Sequence, residues 1–169
     1  MTDAPIHNAA ELTRHIEKRY HARHRQQLPE LAALAEKVEA VHFGEEQVPL
    51  GLAILLRQML GAMEVHMKKE ELILFPAIRR GGMSGIENTI AMMRADHGQH
   101  DHEVTRIREL TGGPKLPEEA CRSWTALYAG IEEFIADLEE HMRLENDVLF
   151  PQFEQPDALQ SGAAENGFS

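Results

Sequence analysis

One short pattern occurs twice in this chain and dictates where each copy can sit. His66-Met67-Lys68-Lys69-Glu70, followed by Leu74-Phe75-Pro76, returns 75 residues later as His141-Met142-Arg143-Leu144-Glu145, followed by Leu149-Phe150-Pro151. In each copy an imidazole and a carboxylate stand four residues apart, on one face of a helix. Each copy also continues an apolar stripe. Met59 and Met63 lie seven and three residues before His66, and Phe134 and Leu138 lie seven and three before His141. On a surface, such a pair contributes only about 0.2–0.5 kcal/mol. On an apolar stripe, a carboxylate left unpaired costs several kcal/mol, and two of them on facing helices repel. A cation between them removes both penalties. The pattern therefore points to His66, Glu70, His141 and Glu145 as metal ligands inside a helical core.

Apolar residues recur at helical spacing along the rest of the chain. Residues 10–26 read as a leading helix through Leu12, Ile16 and Arg19/Tyr20. Pro29 suits the first turn of a new helix, which runs to about Phe43 through Leu31, Leu34, Val38 and Val41/His42, with Gly44 as its stop. Pro49 opens the next, whose stripe is Leu52, Leu56, Met59, Met63, His66, Glu70 and Ile73/Leu74, and Gly81-Gly82 closes it. A helix over about 86–110 turns Ile90, Met93, His97, Asp101, Val104 and Ile107 inward. After the breaker Thr111-Gly112-Gly113-Pro114, the last helix starts near Pro117-Glu118, carries Cys121, Trp124, Ile131, His141 and Glu145, and ends by Pro151.

The fold expected is all-α. It is an up-down-up-down four-helix bundle with a short additional N-terminal helix, over residues 1–154, followed by a flexible C-terminal tail, 155–169. In that topology the second and fourth long helices are parallel and diagonal. The repeat then implies an approximate two-fold axis along the bundle with a site on it.

Composition removes several function classes. A net charge of −11 disfavours nucleic acid, whose phosphates need a positive face, and an anionic membrane surface. The single cysteine, Cys121, excludes a disulfide within the chain and a Cys-rich metal site. No apolar run approaches the roughly 20 residues of a membrane span. Residues 1–12 have neither a basic start nor an apolar core, so they do not read as a signal peptide. A cytoplasmic setting and a monomer are the expectations.

Ten histidines against two Tyr and one Trp are not part of a general aromatic enrichment. His97, on the inner stripe of its helix between Met93 and Asp101, is a further ligand candidate. His42, at the end of its helix, reads as the contribution of the remaining one. On the leading helix His21 competes with His15 and His24, which lie equally near. Asp101, four residues after His97, is placed to orient an imidazole. His100 and His102 point to other faces. Imidazole and carboxylate without thiolate favour iron or manganese over a structural zinc site. Five imidazoles, two bridging carboxylates and an oxo or hydroxo bridge leave one position open on a pair of six-coordinate ions, and an open position implies function.

With these residues in place the chain resembles the hemerythrin-like di-iron proteins, and more closely the bundle domain of the iron–sulfur cluster repair (RIC/ScdA) family. The similarity covers roughly residues 10–153. It rests on Leu12 through His21, Leu28-Pro29-Glu30-Leu31, Ala35-Glu36-Lys37-Val38, His66 to Pro76, Arg94-Ala95-Asp96-His97, Trp124 to Tyr128, and His141 to Pro151. The resemblance implies two iron ions in a non-haem centre held by His21, His42, His66, Glu70, His97, His141 and Glu145. It also implies reaction with nitric oxide or oxygen species and support of iron–sulfur cluster repair under nitrosative or oxidative stress. Oxygen carriers of this kind place two His four apart on the third helix. Here the second position is Asp101, and His21 supplies the missing imidazole, which favours the repair branch. The alternatives are a reversible O2 or NO carrier or sensor, and an iron store or donor. No catalytic acid or base is assigned, and Asp96 and Asp101 are the nearest carboxylates for such a role. Full-length repair proteins begin with a small domain bearing a vicinal cysteine pair. This sequence begins almost at the bundle, so a thiol-dependent step calls for a separate thiol or redox partner alongside the iron–sulfur proteins served. Cys121 lies about 30 Å along its helix from His141 and is expected to be a buried structural thiol.

Overall fold

Asn8 starts the first helix. Its side-chain oxygen accepts the Glu11 N–H at 3.0 Å, which satisfies one of the free donors of a helix N-terminus. From there helix α1 (Ala9–Ile16), a π-helical turn (Glu17–His21) and helix α2 (Ala22–Val41) form one unbroken rod. The break expected at Pro29 does not occur, because Pro29 lies inside α2. It is exposed, so the Arg25 carbonyl that it leaves without an amide donor can turn to water. Leu28 and Leu31 beside it are buried, at roughly 1.5–3 kcal/mol each, which outweighs the ~3 kcal/mol cost of an interior proline. The leading helix and the first long helix are therefore one element.

The computed structural model describes residues 3–154, and three more rods follow within them. The second is α3 (Leu52–Lys69), a π-turn (Glu70–Leu74) and α4 (Phe75–Arg79). Glu39 of α2 caps it from outside, accepting the Gly51 and Ala53 amides at 2.5 and 3.0 Å. Pro76 stands in the first turn of α4, where no amide is needed. Gly81 and Gly82 end the rod at φ 90° and 121°, a region open to glycine. The third rod is α5 (Ile86–Thr111). The fourth is α6 (Arg122–Arg143), a π-turn (Leu144–Leu149) and a short 3₁₀ turn (Phe150–Gln152). It starts later than Pro117: Cys121 is the N-cap, its Sγ accepting the Trp124 N–H at 3.4 Å. Cys121 is half-buried rather than buried. No strand occurs among the described residues, and the expected tail, 155–169, lies outside them.

Helix α2 packs against α3 and α6, and α5 completes the ring against the same two, while α1 packs on α4. The two rods that carry the repeat thus face each other across the bundle. The interior holds two apolar clusters. One contains Leu28, Met63, Met67, Val104, Trp124, Phe134, Leu138 and Met142, and the other Leu12, Ile16, Tyr20, Leu74, Phe75, Met93, Leu144 and Phe150. Every rod passes from one cluster to the other, and at each passage stands a buried His or Glu. All three π-turns fall at this layer. A π-turn inserts one residue into the helical register. Of the expected stripe position Ile73/Leu74 it leaves Ile73 exposed and Leu74 buried, and it turns Phe75 fully inward beside Leu74.

Candidate metal centre

Six residues meet in this layer, all at most 2 % exposed: His21, His66, Glu70, His97, His141 and Glu145. They form two groups of four. His21 and His141 make one with Glu70 and Glu145; His66 and His97 make the other with the same two carboxylates. Within each group the ligand atoms all lie within 4.8 Å of one another. His21 Nε2 is 3.0 Å from Glu70 Oε2 and 4.0 Å from Glu145 Oε1, and His141 Nε2 is 2.5 Å from Glu145 Oε1. In the second group His66 Nε2 is 3.0 Å from Glu70 Oε1 and His97 Nε2 is 2.9 Å from Glu145 Oε2. Each carboxylate spans both groups.

The repeat also explains what surrounds these atoms. The residue after each repeat Glu backs an imidazole from a neighbouring rod. Glu71 Oε2 lies 3.0 Å from His21 Nδ1, and Asn146 Oδ1 lies 2.7 Å from His97 Nδ1. The Phe of each Leu-Phe-Pro segment stacks on the same imidazole: Phe75 on His21 and Phe150 on His97, both at 5.7 Å and 12°. The other two imidazoles are tied through Asp96 Oδ2, 2.9 Å from His66 Nδ1, and His24 Nε2, 3.0 Å from His141 Nδ1. Arg25 holds Glu71 through both oxygens at 2.8 Å and Glu64 at 2.9 Å.

With all four Nδ1 atoms engaged outward, four Nε2 lone pairs converge on two carboxylates. His66 and His97 bring theirs within 3.2 Å of each other. His21 Nε2, both Glu70 oxygens and Glu145 Oε2 have no hydrogen-bond partner among the described residues. Their short separations lack hydrogen-bond directions, so these atoms point to shared centres rather than at each other. Protons are one means of balance. Burial alone lowers His66, but the negative charge of Glu70, 3.0 Å away, outweighs it and lifts the imidazole to about 9. Burial opposes charge on His21 and His97 too, yet Glu70 and Glu145 raise both. Burial holds His141 well below the ordinary range. Bound metal would satisfy these atoms together, and four imidazoles with two carboxylates and no thiolate suit iron. The residues present fit a metal-binding site.

The structure brings together His21, His66, Glu70, His97, His141 and Glu145, but not His42. At 1.5 Å per residue His42 lies about 30 Å along the first rod from His21. Its nitrogens meet Glu45 Oε2 at 2.9 Å and Cys121 Sγ at 3.1 Å, and its ring lies against Trp124. Assigning one His to each helix failed because α1 and α2 are one rod, which His21 already serves. Asp101 is exposed and does not orient His97. Asp96 does orient an imidazole, that of His66. Glu71 and Asn146 were missed; His24, weighed only as a rival to His21, backs His141 instead, and His100, expected to point to another face, is buried beside His66. Aligning the two repeats one residue further, Glu70-Glu71 with Glu145-Asn146, is the signal that would have found Glu71 and Asn146.

The sequence profile of the Hemerythrin HHE cation binding domain family matches residues 12–153. The iron-sulfur cluster repair protein YtfE of Pectobacterium carotovorum subsp. carotovorum (strain PC1) is 45% identical over 150 residues, 89% of this chain and 66% of that protein. The proteins of the same name from Yersinia pseudotuberculosis serotype O:1b (strain IP 31758) and Yersinia pestis (strain Pestoides F) are 49% identical over 137 residues, 81% of this chain and 62% of theirs. The chain thus spans just under two thirds of the length of these curated relatives.

Proposed function

The chain belongs to the Hemerythrin HHE cation binding domain family, and on that footing we propose a non-haem di-iron protein that supports iron–sulfur cluster repair. In this reading it meets nitric oxide or reactive oxygen under nitrosative or oxidative stress, in the cytoplasm. The observation that carries the reading is the pair of four-residue groups sharing Glu70 and Glu145. The names of the relatives supply the task. Among the described residues no helix is long and apolar enough to cross a membrane. An up-down-up-down order of the rods is part of the proposal and is supported by the packing of α1 on α4 and of α2 on α3.

His21, His66, Glu70, His97, His141 and Glu145 are the proposed ligands. When bound, the iron pair supplies one-electron redox change and an open position for a diatomic molecule. Glu70 and Glu145 offer an oxygen to each group and would so be held in common by both ions. The outward hydrogen bonds of the four imidazoles fix their tautomers and keep Nε2 available. Phe75, Phe150 and Tyr20, which stacks on His141 at 5.6 Å, clamp the rings and keep water away. A thiol or redox partner completes the proposed repair.

The test is metal analysis of purified protein, followed by anaerobic incubation of the reduced protein with an iron–sulfur enzyme inactivated by nitric oxide. Two irons per chain and restored cluster absorbance are expected, with restoration lost in His66→Ala. A stable, reversible oxygen adduct without restoration of the cluster overturns the repair reading.

A further inference from the structure

The two halves of the site are related by an approximate two-fold exchange of rods. His21 corresponds to His97, His66 to His141, and Glu70 to Glu145. The correspondence extends one turn further, because each non-repeat rod carries a second buried imidazole three residues on: His24 after His21 and His100 after His97. Their exposures are 0 % and 3 %. They also stand alike against the repeat imidazole beside them, with ring centroids 5.2 Å apart for His24 and His141 and 5.3 Å for His100 and His66.

The halves part at the next contact. His24 Nε2 meets His141 Nδ1 at 3.0 Å. The matching contact is closed to His100, because Asp96 occupies His66 Nδ1 at 2.9 Å. His100 therefore stands perpendicular to the His66 ring and 6.4 Å from that of His97. Neither of its nitrogens has a hydrogen-bond partner among the described residues. Glu103 Oε1, at 3.7 Å from Nδ1, is too far to count as one. A buried imidazole with both nitrogens unsatisfied is unfavourable, and an apolar side chain of similar size would avoid the cost. The ring lies beside His66 and His97, two members of one group, without belonging to that group itself.

We propose that the N–H of His100 hydrogen-bonds the small exogenous ligand taken up on the His66–His97 side of the metal pair. The inference rests on the di-iron reading above. It makes the two ions unequal: the spare imidazole of one half is spent on His141, and that of the other is left for the ligand. A neutral imidazole always carries one N–H, so a donor exists in either tautomer. The ligand class favoured is an anion or an electron-rich diatomic molecule that accepts a hydrogen bond.

Azide is the probe, added to iron-loaded wild type, His100→Leu and His100→Gln. Leucine removes the donor without leaving a polar group buried, so the variant is expected to fold and to hold two irons. Azide binding is expected to weaken about tenfold or more in His100→Leu, the loss of one hydrogen bond to an anion, and to recover substantially in His100→Gln. The azide stretching frequency should shift in D2O for wild type and stay unmoved for His100→Leu. Equal azide affinity and equal D2O response in wild type and His100→Leu, both with two irons, overturn this inference alone. A wild-type protein that does not take up two irons overturns the di-iron reading and the inference with it.

Discussion

Glu71→Gln tests whether the groups behind the imidazoles set metal affinity one ion at a time. Glu71 is 18 % exposed at the side chain and touches His21 Nδ1 at 3.0 Å while Arg25 grips both its oxygens. Burial alone would raise its carboxyl, but the hydrogen bonds of Arg25 and His21 prevail and hold it below the ordinary range, so it is anionic at neutral pH. Glutamine keeps the shape and still accepts from Nδ1, but the charge is gone. A hydrogen bond to a charged group contributes about 1.5–3 kcal/mol against about 1 kcal/mol for a neutral one. The difference is about tenfold in affinity for the ion that His21 shares with His141. The Arg25 pair weakens as well, and with Arg25 31 % exposed solvent screening limits that loss to about 1 kcal/mol of folding stability. Chelator-competition titration resolves the two ions. The ion at His66 and His97, backed by Asp96 and Asn146, is expected to keep its affinity. Equal weakening of both ions, or of neither, would refute the assignment of one outer partner to each imidazole.

Two further outcomes follow from the geometry. Glu145→Ala removes a ligand common to both groups and should abolish the pair, whereas His21→Ala touches one group and should leave one ion; metal analysis of the two variants separates them. His42→Ala should keep full metal content, because His42 lies outside both groups. Its hydrogen bond holds the Cys121 thiol below the ordinary value, so in the variant the thiol rises, and alkylation of Cys121 slows at neutral pH with its midpoint moved upward.

The repeated His–Glu spacing on an apolar stripe was enough to place His66, Glu70, His141 and Glu145 in one buried layer, because i,i+4 residues share a helix face whatever the surroundings. His97 was legible for the same reason. The periodicity also implied four long helices without strands. His21 was not separable from His15 and His24 by spacing, and the deciding feature, the π-turn over Glu17–His21, shifts register in a way that an α-helical count cannot anticipate. The proline signal failed where tertiary burial of Leu28 and Leu31 outweighed a local preference.

The sequence by itself determined that His66, Glu70, His141 and Glu145 share one layer with His97, since the repeat and its apolar setting are written in residue order. Only the tertiary structure decided how they act together. Which nitrogen faces inward depends on Glu71, His24, Asp96 and Asn146, and all four reach their imidazole from another rod, Asp96 across 30 residues of sequence and His24 across 117. Such pairings are products of packing. They placed His42 at the far end of the first rod and left His100 beside the site, buried and unpaired, because direction and distance in three dimensions, not spacing along the chain, decide what a buried imidazole can reach.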